Sequence, residues 1–423
     1  MALVFEDARR CFNVWLCACL CIGTASVCAQ VGDAEPIVIV LSWDGLRHDF
    51  PDRGVFPGLR RLQTEGVRAG RLTPVYPSST FPAHVSMATG TYPDKHGIVD
   101  NHFLDRVRGV YRYAADANWI EAEPLWIAAE RQGVPAATYF WVGSESDWRG
   151  QGTRYRISPF DGQRSEALKV DQILSWLLLT EAERPRLIMS YWAGADSVAH
   201  RYGPDDQRVA RQIARQDRQL QRLLEGLDSL QLWGHTTLLL VSDHGMTTVG
   251  ENLDVPGALA DAGIGARVFG ASVGHVFLDD IAQLARAREV LGALDPLSIY
   301  TPEEIPRSWR LRHPTRTGDL LLTTVPPYSL SGAAGFEGLM VSALATAGWA
   351  FGSHGYDPAL KDMGGVFFAM GRGVPSGLVL SDVHQTDVAA TVAQLLGMKP
   401  PLQSEGRPIR GIGEFLIATP EGR

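Results

Sequence analysis

The chain has 423 residues, 45% of them hydrophobic, and carries 39 Lys plus Arg against 47 Asp plus Glu for a formal charge of −8. That size and apolar share accommodate one large α/β domain with an insertion, or two domains, and exclude disorder as the general state. No extended basic run appears, which argues against a sequence-reading nucleic-acid binder, and a negative body repels long polyanions, so any phosphate substrate must be drawn in by local cations.

The first 29 residues read as a secretory leader. Arg9-Arg10 precede an apolar run from Phe12 to about Gly23, and Val27-Cys28-Ala29 places small residues before a cut after Ala29. A retained anchor is the alternative, although the run is short for a bilayer span of about 20 residues. Lipid attachment at Cys28 is disfavoured by the bulk of Val27. All five cysteines (Cys11, Cys17, Cys19, Cys21 and Cys28) lie here, so a cleaved, exported chain, periplasmic or secreted, contains none and needs no disulfides.

A catalytic core is expected over residues 30–246, resuming at 352–423. Residues 37–41 form a nearly continuous apolar run, the pattern of a strand covered on both faces. Similar runs occupy 136–141, 186–191 and 236–242. Between them, residues 121–132 and 205–230 read as helices, the second with Ile213, Leu220, Leu223, Leu224 and Leu227 on one stripe and charged residues elsewhere. Strands alternating with helices indicate an α/β fold with a mostly parallel central sheet and helices on both faces. Over 247–351 the texture changes, and residues 296–330, rich in Pro, Arg and short runs such as 319–324, read as a small inserted sheet-bearing subdomain. Residues 365–370 then predict a last core strand and 387–396 a closing helix.

Four predicted strand or loop ends carry acidic or imidazole side chains: Asp44, Asp196 with His200, Asp243-His244, and His354. Ligands gather outside the carboxyl ends of strands in open α/β sheets. Asp44-Gly45 and Asp243-His244-Gly245 also read as turns after strands. Asp196 and His200 are four apart and share one face of a helical turn, which suits a shared ion but also arises by chance. His354 reads equally as a surface-loop histidine. Taken jointly, three carboxylates and three imidazoles on one edge call for a cationic partner, and a pair of divalent ions points to phosphoryl transfer. Thr80 sits at or just before a helix whose first turn holds Pro82 and which ends near Gly90. It reads either as a cap or as a hydroxyl activated at a helix N-terminus that favours anions.

With these residues in place, the chain resembles the nucleotide pyrophosphatase/phosphodiesterase family of the alkaline phosphatase superfamily. The matching strings are Asp44-Gly45, Thr80-Phe81-Pro82 with His84, Thr89-Gly90-Thr91-Tyr92-Pro93, and His96-Gly97-Ile98-Val99-Asp100-Asn101. They continue with Tyr191, Asp196, His200, Gly203-Pro204, Ser242-Asp243-His244-Gly245-Met246 and Gly352-Ser353-His354-Gly355-Tyr356-Asp357. The resemblance implies an alkaline-phosphatase-like fold and two zinc ions, one held by Asp196, His200 and His354, the other by Asp44, Asp243, His244 and the Thr80 oxygen. It further implies that Thr80 attacks phosphorus to form a phospho-threonine, with Asn101 donating to a non-bridging oxygen. His84 and His96 accompany the motif and read as structural.

A diester or pyrophosphate substrate, a nucleotide first among small molecules, is favoured because residues 76–90 hold no Arg or Lys for a dianionic monoester. Phe81 and Tyr191 read as walls of an apolar slot for a base, or as ordinary core packing. Gly194-Ala195, Ala199, Ala83 and Val142 depart from the family pattern and leave pocket shape open. The alternative keeps the chemistry and changes the substrate, to a phospholipase C-like choline phosphodiester or a phosphonate. A non-catalytic binding module would have no use for Thr80. Neither sequence-specific nucleic-acid recognition nor a stable protein partner is indicated.

Overall fold

The computed structural model describes residues 35–330 and 351–414; the leader read at 1–29, with its cysteines, lies outside the described residues. Strand Ile37–Trp43 is buried at every position, as a run covered on both faces requires. It lies in an eight-stranded sheet. Strands Thr236–Val241 and Leu187–Trp192 flank it in parallel. Beyond the second come Ala136–Tyr139 and Tyr155–Ile157, also parallel. Beyond the first, Phe367–Gly371 runs antiparallel, followed by Val67–Ala69 and Leu378–Leu380.

Side chains alternate across the central strand, and each set meets its own layer of helices. Val38 and Val40 pack with Val85 and Met87 of helix Thr80–Thr89 and with Val388 and Val392 of helix Thr386–Leu396. Ile37, Ile39 and Leu41 pack with Leu62 of helix Pro57–Glu65, Ile173 of Glu166–Leu177 and Leu220 of Gln207–Ser229. The fold is therefore the expected mostly parallel α/β sheet with helices on both faces.

The small subdomain is an antiparallel four-stranded sheet in the order Ala266–Phe269, Val273–Leu278, Leu320–Thr323, Ser298–Tyr300. It closes over its own core of Val276, Leu320 and Leu322 against Val255, Leu259 and Leu291. It starts some thirty residues earlier than the span 296–330 read from sequence. Its first two strands escape an apolar-run criterion because Arg267 faces solvent and Gly274-His275 interrupts the second.

Register fixes where the chemistry sits. Ser42 pairs with Tyr191 on one side and Val241 on the other, so three parallel strands end at one level. Asp44 and Asp243 follow immediately, and Asp196 opens helix Asp196–Tyr202 after a short turn. That turn closes tightly: Gly194 has φ +62°, and a Cβ there would fall 1.8 Å from the Asp44 carbonyl oxygen. Ala195 N–H donates to the same oxygen at 3.1 Å. His354 arrives separately, directly after strand Phe351–Ser353, which pairs antiparallel with Thr247–Val249 just after His244. Gly194→Ala must open this contact as well as occupy a left-handed conformation, and should cost about 2 kcal/mol or more. A urea midpoint equal to wild type would contradict the close approach.

Candidate metal centre

Asp243 and Asp44 are each held by one oxygen and present the other. Asp243 Oδ1 accepts the N–H groups of Gly45 and His244, both at 3.0 Å. Asp44 Oδ2 accepts the Tyr191 hydroxyl at 2.6 Å. The opposite oxygens, Asp243 Oδ2 and Asp44 Oδ1, are buried without a hydrogen-bond partner, as is Asp196 Oδ1.

The imidazoles follow the same logic. The Nδ1 atoms of His200, His354 and His244 lie 2.8, 2.9 and 2.9 Å from the carbonyls of Gly352, Ser78 and Gly245. Carbonyls only accept, which assigns the proton to Nδ1 and leaves Nε2 as a lone pair. Those lone pairs point at the free carboxylate oxygens. His244 Nε2 is 3.5 Å from Asp44 Oδ1 and 3.3 Å from Asp243 Oδ2. His200 Nε2 and His354 Nε2 are 3.2 and 3.8 Å from Asp196 Oδ1. The His244 and His354 rings stack with centroids 3.6 Å apart.

Around Asp44, Asp243 and His244 the result is a cage of acceptors facing acceptors. Burial, then the Asp243 and Asp196 charges, push the Asp44 carboxyl well above the usual carboxylate range. Burial, then His244 and His200, push His354 well below the ordinary histidine value. Burial also opposes ionisation of both Asp196 and His200, but their mutual attraction overcomes it, holding the Asp196 carboxyl low and raising His200, so that without a cation this pair is a proton-bearing ion pair and not two facing acceptors. Such a set is relieved by cations, and two groupings have ligand atoms within 4.8 Å of one another: Asp44, Asp243 and His244, and Asp196, His244 and His354. Nδ1-anchored imidazoles with inward Nε2 are how ligand histidines are oriented. His244 thus stands between the two groups, and His200 joins the second through Asp196.

Thr80 opens helix Thr80–Thr89, behind Ser79 in extended conformation. Its Oγ1 lies 3.2 Å from His244 Nε2, so the hydroxyl faces the first grouping. His84 is fully buried between Ser42 Oγ (2.7 Å) and the Thr80 carbonyl (2.8 Å), and His96 between Ser86 Oγ and the Ile98 N–H. Both serve the scaffold. Asn101 Oδ1 accepts the Phe81 N–H at 2.8 Å, which seats its amide beside the helix start.

The aromatic side chains divide. Tyr191 is turned inward by its bond to Asp44, and its ring meets His84 and Phe160. Phe81 is partly exposed and packs edge-on against Tyr113 at 5.2 Å. Phe160 and Tyr113, 47% and 56% exposed, are large aromatics beside the site that sequence reading passed over. Phe160 had a signal, since an aromatic between Pro159 and Asp161-Gly162 belongs to a turn. Tyr113 had none: it takes φ +45° after a short strand.

A family model described as type I phosphodiesterase / nucleotide pyrophosphatase matches residues 38–357, from the central strand past His354. An uncharacterised pyrophosphatase/phosphodiesterase of Schizosaccharomyces pombe is 30% identical over 391 residues, covering 86% of this chain and 77% of that protein. A venom phosphodiesterase of Naja atra is 28% identical over 89% of this chain, which spans about half (46%) of the venom enzyme. Among solved structures, murine ectonucleotide pyrophosphatase/phosphodiesterase 5, inactive and in complex with AMP, superposes with a TM-score of 0.79 at 24% identity, covering 86% of this chain and 96% of that one. A sheet edge furnished in this way, matched by one family model over residues 38–357, makes the chain a member of the type I phosphodiesterase / nucleotide pyrophosphatase family.

Proposed function

We propose that the protein is an exported, zinc-dependent hydrolase that cleaves phosphodiester or pyrophosphate bonds of nucleotides through a phospho-threonine on Thr80. The observation that carries this reading is the cage of acceptor atoms facing a hydroxyl at a helix N-terminus. One ion would be held by Asp196, His200 and His354, and the other by Asp44, Asp243, His244 and the Thr80 oxygen. Imidazole nitrogen mixed with carboxylate oxygen suits zinc. When bound, the pair supplies positive charge that lowers the proton affinity of the Thr80 hydroxyl and neutralises the phosphate oxygens.

The chain's own groups do the rest. Thr80 Oγ1 gives up its proton to solvent and forms a bond to phosphorus while the bond to the departing oxygen breaks, and that oxygen leaves with the electron pair and takes a proton back from solvent, so the proton count is unchanged. Water then cleaves the phospho-threonine, restoring the hydroxyl and releasing a nucleoside monophosphate. Asn101, its Oδ1 occupied by the Phe81 N–H, has Nδ2 left to donate to a non-bridging oxygen. Phe81 and Phe160 offer exposed ring faces to a base, with Tyr191 closing the slot from behind. The AMP in the murine structure and the venom and ecto-enzyme relatives support a nucleotide and an extracytoplasmic site. The leader at 1–29, a core from 30–246 and 352–423, and the span 247–351 with its small sheet remain the proposed division.

Thr80→Ala should abolish turnover of a nucleotide diester with an unchanged thermal midpoint, and Thr80→Ser should keep part of it. Normal turnover by the alanine variant would remove the nucleophile. Chelation should abolish activity, zinc should restore it, and elemental analysis should find about two ions per chain. Retained turnover after complete demetallation would contradict the reading, and a preference for a phosphocholine ester over a nucleotide diester would overturn the substrate.

Asp100 stands behind Asn101 and accepts its N–H at 2.7 Å. Burial pushes its carboxyl up to about 7, against the pull of the Asn101 N–H and the Ser79 hydroxyl. A carboxyl raised on folding contributes stability that is complete below its unfolded value and is lost as pH rises through about 7. Asp100→Asn should therefore match wild type near pH 4 and exceed it at pH 8, by up to about 4 kcal/mol. Parallel urea titrations at the two pH values check this, and a pH-independent difference would contradict it.

A further inference from the structure

Asn101 is the last residue before a two-stranded hairpin, and the hairpin decides what stands opposite it. Strands His102–Asp105 and Gly109–Arg112 pair antiparallel with His102 against Arg112, which places Tyr113 across from Asn101. The Tyr113 N–H donates to the Asn101 carbonyl at 3.2 Å and closes that end of the ladder. Residues two apart share a face, so both side chains lie with Phe103 and Tyr111, whose buried rings stack at 4.6 Å. The ring of Phe81, directly after Thr80, meets Tyr111 at 6.1 Å and Tyr113 at 5.2 Å.

The hairpin is a fixed platform. A two-stranded ribbon is marginal by itself, but Asp105 Oδ1 ties the turn by accepting the N–H groups of Val107 and Arg108 at 2.8 and 3.2 Å. Asp105 Oδ2 accepts Nε of the buried Arg316 at 2.8 Å, and Arg316 also donates to the carbonyls of Gly97 and Trp119 on either side. Tyr113 itself takes φ +45°, a left-handed conformation that a bulky residue keeps only where its surroundings impose it.

The Asn101 amide is held at both ends. Its Oδ1 accepts the Phe81 N–H at 2.8 Å, which leaves Nδ2 as the free end. Burial, then Asp100, push the Tyr113 phenol above its ordinary value, and Asn101 opposes them through a side-chain hydrogen bond. A bond that favours the phenolate is donated to its oxygen, and with Oδ1 engaged the donor is Nδ2. The Asp196 charge reaches the same phenol, so the pair faces the candidate centre. An amide nitrogen carries two protons, and one of them remains unspent.

We propose that Tyr113 is a positioning residue for the phosphodiester reaction: its hydroxyl oxygen takes one Nδ2 proton of Asn101 and so fixes the other toward the non-bridging phosphate oxygen. The inference rests on the reading of Asn101 as the phosphate donor and adds the residue that orients it.

Tyr113→Phe keeps the ring against Phe81 and the backbone bond and deletes only the hydroxyl. With zinc present and a small chromogenic thymidylate ester as substrate, kcat should fall about three- to tenfold, with KM within about twofold and the thermal midpoint unchanged. In an Asn101→Ala background, itself slowed about a hundredfold, the same change should move kcat by less than about twofold. A wild-type kcat in Tyr113→Phe, an equal fall in both backgrounds, or a change confined to KM would each overturn the positioning role. Full activity in Asn101→Ala would remove the donor and, with it, anything for Tyr113 to position.

A second measurement needs no turnover. Asparagine occurs only as Asn13, Asn101, Asn118 and Asn252, so heavy-nitrogen labelling of asparagine gives a sparse NMR spectrum in which Asn101→Ala assigns the Asn101 side-chain amide. Tyr113→Phe should move that amide and speed its exchange with water while leaving Asn118 in place. An unmoved Asn101 amide would overturn the pairing whatever the kinetics. If wild type turns over no phosphodiester, the phosphodiesterase reading fails, and this spectrum still decides the pairing.

Discussion

Everything at the sheet edge follows from an electrostatic imbalance that the polypeptide does not correct by itself. Three carboxylate oxygens, on Asp44, Asp196 and Asp243, are buried with no hydrogen-bond partner, and the nitrogens nearest them belong to imidazoles whose Nδ1 atoms are already spent on carbonyls. An unpaired buried charge costs several kcal/mol, and a half-satisfied polar network is worse than an apolar one. Nearby donors are present but are spent on fixing orientation: the Tyr191 hydroxyl on Asp44 and two backbone N–H groups on the outer oxygen of Asp243. The protein has thus arranged its acceptors with care and withheld the donors, which is the signature of a site built for cations.

The scaffold supports that imbalance with rigid parts. The three parallel strands that deliver Asp44, Asp196 and Asp243 are buried in both helical layers, and the loops after them are locked by Gly194 against the Asp44 backbone. His84 bridges Ser42 on the central strand to the Thr80 carbonyl, so helix Thr80–Thr89 is referenced to the same strand as Asp44. Precision in a reactive site comes from such secondary contacts, since a misplacement of about 1 Å can cost about a hundredfold in rate.

Much of this was legible in the sequence, for a physical reason. Parallel strands are covered on both faces and therefore appear as unbroken apolar runs, and a charged residue directly after such a run must sit at the carboxyl edge. Asp44 and Asp243 meet that condition, and Asp196 and His200 meet the helical one. Strands 266–269 and 273–278 did not show, because antiparallel strands with one wet face carry polar residues such as Arg267 within the run. The direction of the Tyr191 phenol toward Asp44 was equally hidden, since it depends on register between two strands far apart in sequence.

His354 differs from the other candidate ligands in how it is held. It does not ride on the large sheet but on a pairing of just two strands, Thr247–Val249 with Phe351–Ser353. A two-stranded ribbon is marginal by itself, so the bracket needs other anchors. They are present: the Gly352 carbonyl accepts His200 Nδ1, Gly352 packs so closely on Ala199 that a Cβ would fall 2.4 Å from its carbonyl oxygen, and His354 Nδ1 reaches back to Ser78. Helix Asp196–Tyr202 and this ribbon therefore brace one another, each contributing candidate ligands, Asp196 with His200 from the helix and His354 from the ribbon. A cation shared between them would tie the ribbon to the main sheet through its own bonds, adding to the small cluster of Val249, Tyr356 and Met363 that packs beneath it.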